Sequence, residues 1–270
     1  MKSFFKNIAS ALLYLLPSEM RYEICRHHAN KEFAENRSDF RSNGELWLME
    51  KIIPGVSTVF DVGAHRGEWA SEALRINKDI ELHCFEPCSR SYSELEKGEF
   101  GEKIFLNNFG LGSQQCEKTM YIFDGSGEGN SLFIRSGLEL RKDYSPQDRS
   151  ETVRIETLDD YCTDKGIGNI DFLKIDVEGN ELAVIEGAKG LFGHEAIGVA
   201  VFEYGGAYID SRILLKDFFQ FFSETDYDIF LLYPDKVAPI PIYDCRLENF
   251  QYKNFLIVNR AITEKIGIFS

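Results

Sequence analysis

The segment VFDVGAHRGEWA, which begins at Val59, contains the residue types that first point to chemistry. A turn that binds a dinucleotide has the spacing G-x-G-x-x-G, and its middle glycine lets the backbone approach a pyrophosphate. Here the bulky His65 stands between Gly63 and Gly67, and Asp61 would repel a dianion. The turn therefore favours a ligand that carries cations and no phosphate. S-adenosylmethionine, with a sulfonium and an ammonium group, is such a ligand.

Polar residues also follow the next strands of the chain. Glu86 ends the second predicted strand, at the distance from the glycine turn where an acid accepts hydrogen bonds from a ribose. Pro87 then opens a helix and fixes the position of this carboxylate. Asn107 and Asn108 end the third strand, where the edge of an adenine needs polar partners. The predicted cofactor-binding residues are Asp61, Gly63, Ala64, His65, Gly67, Glu86, Pro87, Asn107, Asn108 and Asp176.

These residues depend on an alternation of strands and helices that starts near residue 55. The predicted strands of the main sheet cover residues 56–60, 80–85, 103–106, 170–175, 197–202, 227–232 and 254–258. Repeated strand-helix-strand units imply an α/β fold with a mostly parallel sheet of seven strands and helices on both faces. Ligands of such sheets bind beyond the carboxyl ends of the strands. Residues 118–123 and 152–155 predict an inserted β-hairpin. Residues 1–54 are expected to form a helical extension, and residues 55–270 the α/β domain that follows it.

Composition and charge limit the partners of the chain. Lys and Arg total 30 against 44 Asp and Glu, which gives a formal net charge of −14 and argues against nucleic acid as a partner. Six scattered cysteines form no disulfide framework or zinc motif, so we expect reduced thiols, a cytoplasmic location and no bound metal. The apolar stretch from Ile8 to Leu16 is too short to span a bilayer. Its apolar face is expected to pack on the body of the protein or on a partner subunit in a homo-oligomer, with peripheral membrane contact as the alternative.

Several segments, taken in their order along the chain, resemble the FkbM-type methyltransferases, a branch of the S-adenosylmethionine-dependent enzymes. They are FDVGAHRGEWA, FEP, TLDDYC, IDFLKIDVEGNELAVIEGAKGLF and VFEY, and together they span roughly residues 55–260. The resemblance implies a Rossmann-like class I methyltransferase fold and O-methylation of a hydroxyl on a sugar, a glycan precursor or a related metabolite. His65 replaces the asparagine typical of the family at this position.

Methyl transfer to an alcohol requires a group that aligns the acceptor oxygen and removes its proton. Asp176 and Glu178 follow the fourth strand of the main sheet, and Glu203 ends the strand after it. We predict a metal-free carboxylate base from these three residues, with Mg²⁺ held by their oxygens as the alternative. His65 is a further candidate base because its ordinary pKa lies near neutral pH. Lys174 is expected to neutralise Asp176 rather than to act on substrate.

Two tyrosines and one loop are further candidates for the site, and three other functions remain as alternatives. Tyr204 and Tyr208, beside a Gly-Gly pair, are expected to line the acceptor pocket, and the loop from Asp124 to Phe133 to close over it. A nicotinamide-dependent oxidoreductase shares the architecture, but His65 and Asp61 oppose a diphosphate. A non-catalytic scaffold with the same fold is the second alternative. Methylation of a ribose in nucleic acid is the third, and the net charge opposes it.

Overall fold

The structure is a computed structural model. It describes residues 13–32, 35–98, 100–123, 129–135, 150–263 and 265–269. Within these residues the main sheet has eight strands, namely β1 (Thr58–Val62), β2 (Glu81–Phe85), β3 (Ile104–Asn107), β7 (Ile170–Ile175), β8 (Ile197–Tyr204), β9 (Tyr227–Leu232), β10 (Val237–Pro239) and β11 (Lys253–Asn259). Their order in the sheet is β10-β9-β11-β8-β7-β1-β2-β3.

Helices cover both faces of this sheet because its strands carry apolar side chains on both sides. The described helices are α1 (Ser18–Glu32), α2 (Glu45–Ile52), α3 (Glu68–Ile76), α4 (Ser89–Leu95), α5 (Leu158–Lys165), α6 (Glu181–Glu186), α7 (Lys189–Gly193), α8 (Ala207–Ser211), α9 (Leu215–Phe222) and α10 (Arg260–Thr263). Phe60 of β1 packs in one core with α5 and α9, whereas the adjacent Val59 packs in a second core with α2 and α3. This alternation places successive β1 side chains on opposite faces.

The α/β fold with helices on both faces is confirmed, but the sheet has eight strands where seven were predicted. The additional strand β10 pairs antiparallel with β9 at one edge. It is only three residues long and ends at Pro239, and proline is compatible with an edge strand because no further neighbour needs its missing N–H. Strand β11 is also antiparallel to both of its neighbours, β8 and β9. Its first residues therefore lie at the same edge as the last residues of β8.

The inserted hairpin forms a second, small sheet. Strand β5 (Cys116–Tyr121) pairs antiparallel with β6 (Ser150–Glu156), as the sequence predicts. The short strand β4 (Gly110–Leu111) adds to β6 in parallel, which the sequence did not indicate. Residues 124–128 and 136–149 lie outside the described part of the chain, and so does half of the predicted closing loop, which covers residues 124–133.

The N-terminal segment contributes to the body of the domain. Leu48 and Met49 of α2 are fully buried in the same core as Val59 and Phe172. The division of the chain at residue 54 stays a prediction, although α2 packs as an integral part of the domain. Most of the apolar stretch from Ile8 to Leu16 lies outside the described residues. Within the described ranges, no helix is long and apolar enough to cross a membrane.

Candidate functional site

The carboxyl ends of β1 and β7 meet at a glycine. Gly63 has φ 83°, and a Cβ atom on it would lie 1.8 Å from the backbone oxygen of Asp176. Only glycine therefore allows the turn after β1 to approach the end of β7 so closely. His65 also has a left-handed backbone, with φ 49°. His and Asn are among the non-glycine residues that adopt this conformation more readily, so His65 can replace the asparagine typical of the family.

A buried ion pair lies beneath this turn. Asp61 is fully buried, and Nζ of Lys174 lies 3.0 Å from its Oδ1 and donates a hydrogen bond of 2.8 Å to the carbonyl oxygen of Gly63. Among the described residues, neither oxygen of Asp61 accepts a hydrogen bond of good geometry. Burial alone would lower the pKa of Lys174, but Asp61 and Asp176 outweigh that effect and raise it. Lys174 is therefore a fixed cation whose nearer partner is Asp61, whereas the sequence led us to expect Asp176 as the acid that it neutralises.

Glu86 follows β2 and is held by the backbone. Its Oε2 accepts a hydrogen bond of 2.8 Å from the N–H of His65, and its Oε1 accepts one of 2.8 Å from the N–H of Cys88. Burial raises the pKa of Glu86 to about 7, although both hydrogen bonds oppose the rise. A carboxylate has about four lone-pair sites, so Glu86 can still accept hydrogen bonds from a ligand.

These residues border a cleft with about 550 Å³ of empty space, including its mouth. Four of the predicted cofactor-binding residues, Gly63, Glu86, Pro87 and Asp176, line it. The lining also includes the apolar residues Leu111, Met120, Leu132 and Ile155, of which three belong to the small sheet. The cleft therefore lies between the carboxyl ends of β1, β2 and β7 and the small sheet.

The other predicted cofactor residues lie around this cleft rather than in its lining. The side-chain amide of Asn108 donates to the backbone oxygens of Glu86 and Pro87, and that of Asn107 donates to backbone oxygens of β2 and β3. Ala64 is buried, and Gly67 packs against the side chain of Leu95. These residues shape the backbone that holds Gly63 and Glu86. Their predicted direct contact with a cofactor stays a prediction.

The three predicted catalytic carboxylates differ in their surroundings. Asp176 has a side chain that is 46% exposed, and its Oδ2 lies 3.7 Å from Nζ of Lys174. Glu178 has φ 55° and forms an ion pair of 2.6 Å with the buried Arg135. Glu203 is partly buried, and burial raises its pKa well above the usual range, with a further rise from the charge of Asp176. Asp176 is thus the most accessible of these acids.

Several residues that hold this end of the cleft were not identified from the sequence. Glu181 is buried and accepts hydrogen bonds from the backbone N–H groups of Val177 (2.9 Å) and Gly179 (3.0 Å), and burial raises its pKa to about 7. Arg135 also donates to the hydroxyl of Tyr252 at 2.8 Å. An acid in the first turn of a helix, as Glu181 is in α6, is a local signal because negative charge is favourable at a helix N-terminus. Arg135 and Tyr252 carry no such local signal, since they are 117 residues apart.

The prediction for two tyrosines was wrong. Tyr204 and Tyr208 are buried in the core rather than exposed in a pocket. Tyr204 donates its hydroxyl hydrogen bond to Glu248, and Tyr208 donates to the carbonyl oxygen of Glu203 at 3.0 Å. These bonds satisfy the hydroxyl groups and allow both rings to be buried.

The donor geometry does not favour a metal centre. In the part of the chain that the structure describes, no group of three or more His, Cys, Asp or Glu side chains is placed to hold a metal ion. Asp176, Glu178 and Glu203 are thus not arranged for the Mg²⁺ alternative. All six cysteines are free thiols.

The strand order, with antiparallel β11 beside the last parallel strands and a glycine turn after β1, defines a Rossmann-like class I methyltransferase fold. A family model described as the methyltransferase FkbM domain matches residues 61–229. This match covers more than half of the chain, and the chain belongs to the FkbM methyltransferase family.

Individual relatives are more distant. The 2-O-methyltransferase NoeI of Sinorhizobium fredii is 24% identical over 149 residues, which cover 53% of this chain and 60% of that relative. The chain thus spans less than two thirds of that relative. The structure of M. capricolum TrmK with S-adenosyl-homocysteine has a TM-score of 0.40 and 15% identity, and the match covers 80% of this chain and 67% of that one. The plantazolicin methyltransferase BpumL with SAH has a TM-score of 0.43 and 12% identity, with coverage of 90% and 91%.

Proposed function

We propose that this chain is an S-adenosylmethionine-dependent O-methyltransferase that acts on a hydroxyl of a sugar, a glycan precursor or a related metabolite. The observation that carries the proposal is the charge of the cleft. The described lining residues include Glu86, Asp176 and Glu178 but no lysine, arginine or histidine. Such a lining favours a ligand with cationic groups and opposes a diphosphate, and hence a nicotinamide dinucleotide.

The residues present fit this cofactor in three ways. Glu86 has lone pairs left for the hydroxyl groups of a ribose, and its two backbone hydrogen bonds fix its orientation. The apolar lining residues Leu111 and Met120 suit the faces of an adenine. The carboxylate of Asp61 beneath Gly63 is paired with Lys174, so the exposed Asp176 of the lining supplies the negative charge that would favour a cationic group in the cleft.

The proposed chemistry assigns separate tasks to the acids. When bound, the cofactor would supply a methyl group on a positively charged sulfur. Asp176 would accept the proton of the acceptor hydroxyl, since it lines the cleft and its side chain is accessible. Arg135 and Glu181 would hold the turn after β7, so that Asp176 and Glu178 stay at the mouth of the cleft. Glu203 at the end of β8, where burial raises the pKa of its carboxyl well above the usual range, would be a second carboxyl for a hydroxyl of the acceptor.

A hydroxyl acceptor is favoured by the similarity to NoeI, a 2-O-methyltransferase. It is also favoured by the carboxyl groups at the acceptor end, because carboxylates accept hydrogen bonds from sugar hydroxyls. The cytoplasmic location, the homo-oligomer and the peripheral membrane contact of the N-terminal segment remain predictions beside this proposal.

The first test is calorimetric titration of the purified chain with S-adenosylhomocysteine, with NADH as the comparison ligand. We expect saturable binding of the former and none of the latter. Glu86→Ala should weaken binding by about 1–3 kcal/mol, the cost of an unmet buried polar group. Glu117→Ala, at an exposed acid of β5, is the matched control and should leave affinity unchanged.

A folded sample that binds NADH and not S-adenosylhomocysteine would contradict the proposed cofactor. Binding of neither ligand would favour the non-catalytic scaffold. If binding is found, labelled methyl transfer to neutral sugars should be lost in Asp176→Asn while affinity for S-adenosylhomocysteine is kept. Loss of both would make Asp176 a cofactor-binding residue instead of the base.

A further inference from the structure

Glu45 lies outside the segment that matches the family model, yet the fold holds it at the candidate site. It is the first residue of α2. The preceding Gly44 has φ 109°, and a Cβ atom on it would lie 2.3 Å from the backbone oxygen of Tyr233. The chain can therefore bring Glu45 to this place only with glycine before it.

One oxygen of Glu45 is held by two amides. Its Oε1 accepts hydrogen bonds from the side-chain amides of Asn43 at 2.7 Å and Asn254 at 2.9 Å. Within the described ranges, its Oε2 accepts no hydrogen bond, and no basic side chain forms an ion pair with Glu45. The side chain is thus fixed by one oxygen while the other is available to a ligand.

The order of the strands places Glu45 at the end of the cleft away from Glu86. Asn254 of β11 lies opposite Glu203 of β8 in the strand register, and Glu45 interacts electrostatically with Lys174 and Asp176 of the β7 end. From β2, which positions Glu86, to β8 there are three strand spacings, about 14 Å. A ligand whose ribose contacts Glu86 and whose sulfur lies near Gly63 would extend its amino-acid end toward Glu45.

We infer that Glu45 binds the α-ammonium group of the cofactor's amino-acid end through Oε2. This inference rests on the proposed function. The charged groups that face this position are Lys174 and Asp176 at the β7 end and Glu203 at the β8 end. Lys174 is already bonded to Gly63 and paired with Asp61, so it does not supply the missing partner. The residues that bind the cofactor therefore include Glu45, held by Asn43, and both precede the segment that matches the family model.

The test compares two ligands that differ in the amino-acid end. S-adenosylhomocysteine has it, whereas 5′-methylthioadenosine keeps the adenine, the ribose and the sulfur without it. Glu45→Gln should reduce affinity for S-adenosylhomocysteine about tenfold or more, the usual effect of losing a charged hydrogen bond. Its affinity for 5′-methylthioadenosine should stay within about twofold of wild type, since that ligand has no group for Glu45 to bind.

The choice of glutamine and one control variant separate an effect on binding from an effect on folding. Glutamine can keep Oε1 as the acceptor of both asparagine amides, so Glu45→Gln preserves the local structure. Glu50→Gln removes an exposed charge from the same helix and should change neither affinity. Equal losses for both ligands, or no loss for either, would overturn the inference. A wild-type chain that binds neither ligand would instead refute the proposed function.

Discussion

Lys174→Met should destabilise the protein because it leaves the carboxylate of Asp61 buried without a counter-ion. In the wild type, Asp61 is fully buried and its Oδ1 lies 3.0 Å from Nζ of Lys174. Methionine has a similar volume, so the substitution removes the charge with little change in packing. It also removes the hydrogen bond of 2.8 Å to the carbonyl oxygen of Gly63. We expect a loss of about 3–5 kcal/mol in the free energy of unfolding at pH 7.5.

The loss in the free energy of unfolding of Lys174→Met should depend on pH, and the protonation of Asp61 determines whether it grows or shrinks as the pH rises. Burial raises the pKa of Asp61, and the Lys174 ammonium opposes that rise. Without Lys174, the pKa of Asp61 rises further above its value in the unfolded chain. A group with a raised pKa stabilises the folded state at low pH and loses that contribution as the pH increases. Lys174→Met should therefore be closer to wild type at pH 5.5 than at pH 7.5.

Urea unfolding followed by circular dichroism at both pH values measures these differences. The double variant Lys174→Met with Asp61→Asn is the informative control, since it removes both charges and should recover at least half of the loss. A loss below about 1 kcal/mol for Lys174→Met would refute the reasoning, because that is the range of exposed ion pairs. A double variant no more stable than the single one would also contradict it.

Two further predictions concern the cleft itself. Gly63→Ala should lower the melting temperature strongly and abolish binding of S-adenosylhomocysteine, because the added Cβ atom would lie 1.8 Å from the backbone oxygen of Asp176. Gly55→Ala is the control, since a Cβ atom there would have no neighbouring atom within 4 Å. Burial raises the pKa of Glu86 to about 7, so Glu86 stabilises the fold below about pH 4.5 and loses that contribution as the pH rises through 7. In urea titrations from pH 4.5 to 7, Glu86→Gln should lessen the decline in stability by up to about 1.4 kcal/mol per pH unit. An unchanged slope would show that Glu86 has an ordinary pKa.

The main sheet could be predicted because its strands are short apolar runs bounded by turn residues. The bounds predicted for β7 and β9 agree with the structure, since both are buried strands with clear ends. The strand β10 gave no such signal, because three residues at a sheet edge are too few to show an alternation of apolar and polar side chains. The two residues of β4 were missed for the same reason.

The site residues that could be predicted from the sequence are those that directly follow the carboxyl end of a strand. Gly63, Glu86 and Asp176 each follow such an end, and the structure brings all three to one cleft. Tyr204 and Tyr208 were misassigned because position beside a glycine pair does not reveal burial. Their rings pack in the core, where hydrogen bonds satisfy their hydroxyl groups.

Glu45 shows why sequence order alone could not complete the site. In sequence it is a charged residue at the start of a short helix, and one of its two amide partners is Asn254, 209 residues away. That contact exists because β11 runs antiparallel beside β8, so the beginning of β11 lies at the carboxyl edge of the parallel strands. A parallel strand there would place Asn254 at the opposite edge. The strand that departs from the parallel pattern is therefore the one that connects the N-terminal segment to the cleft.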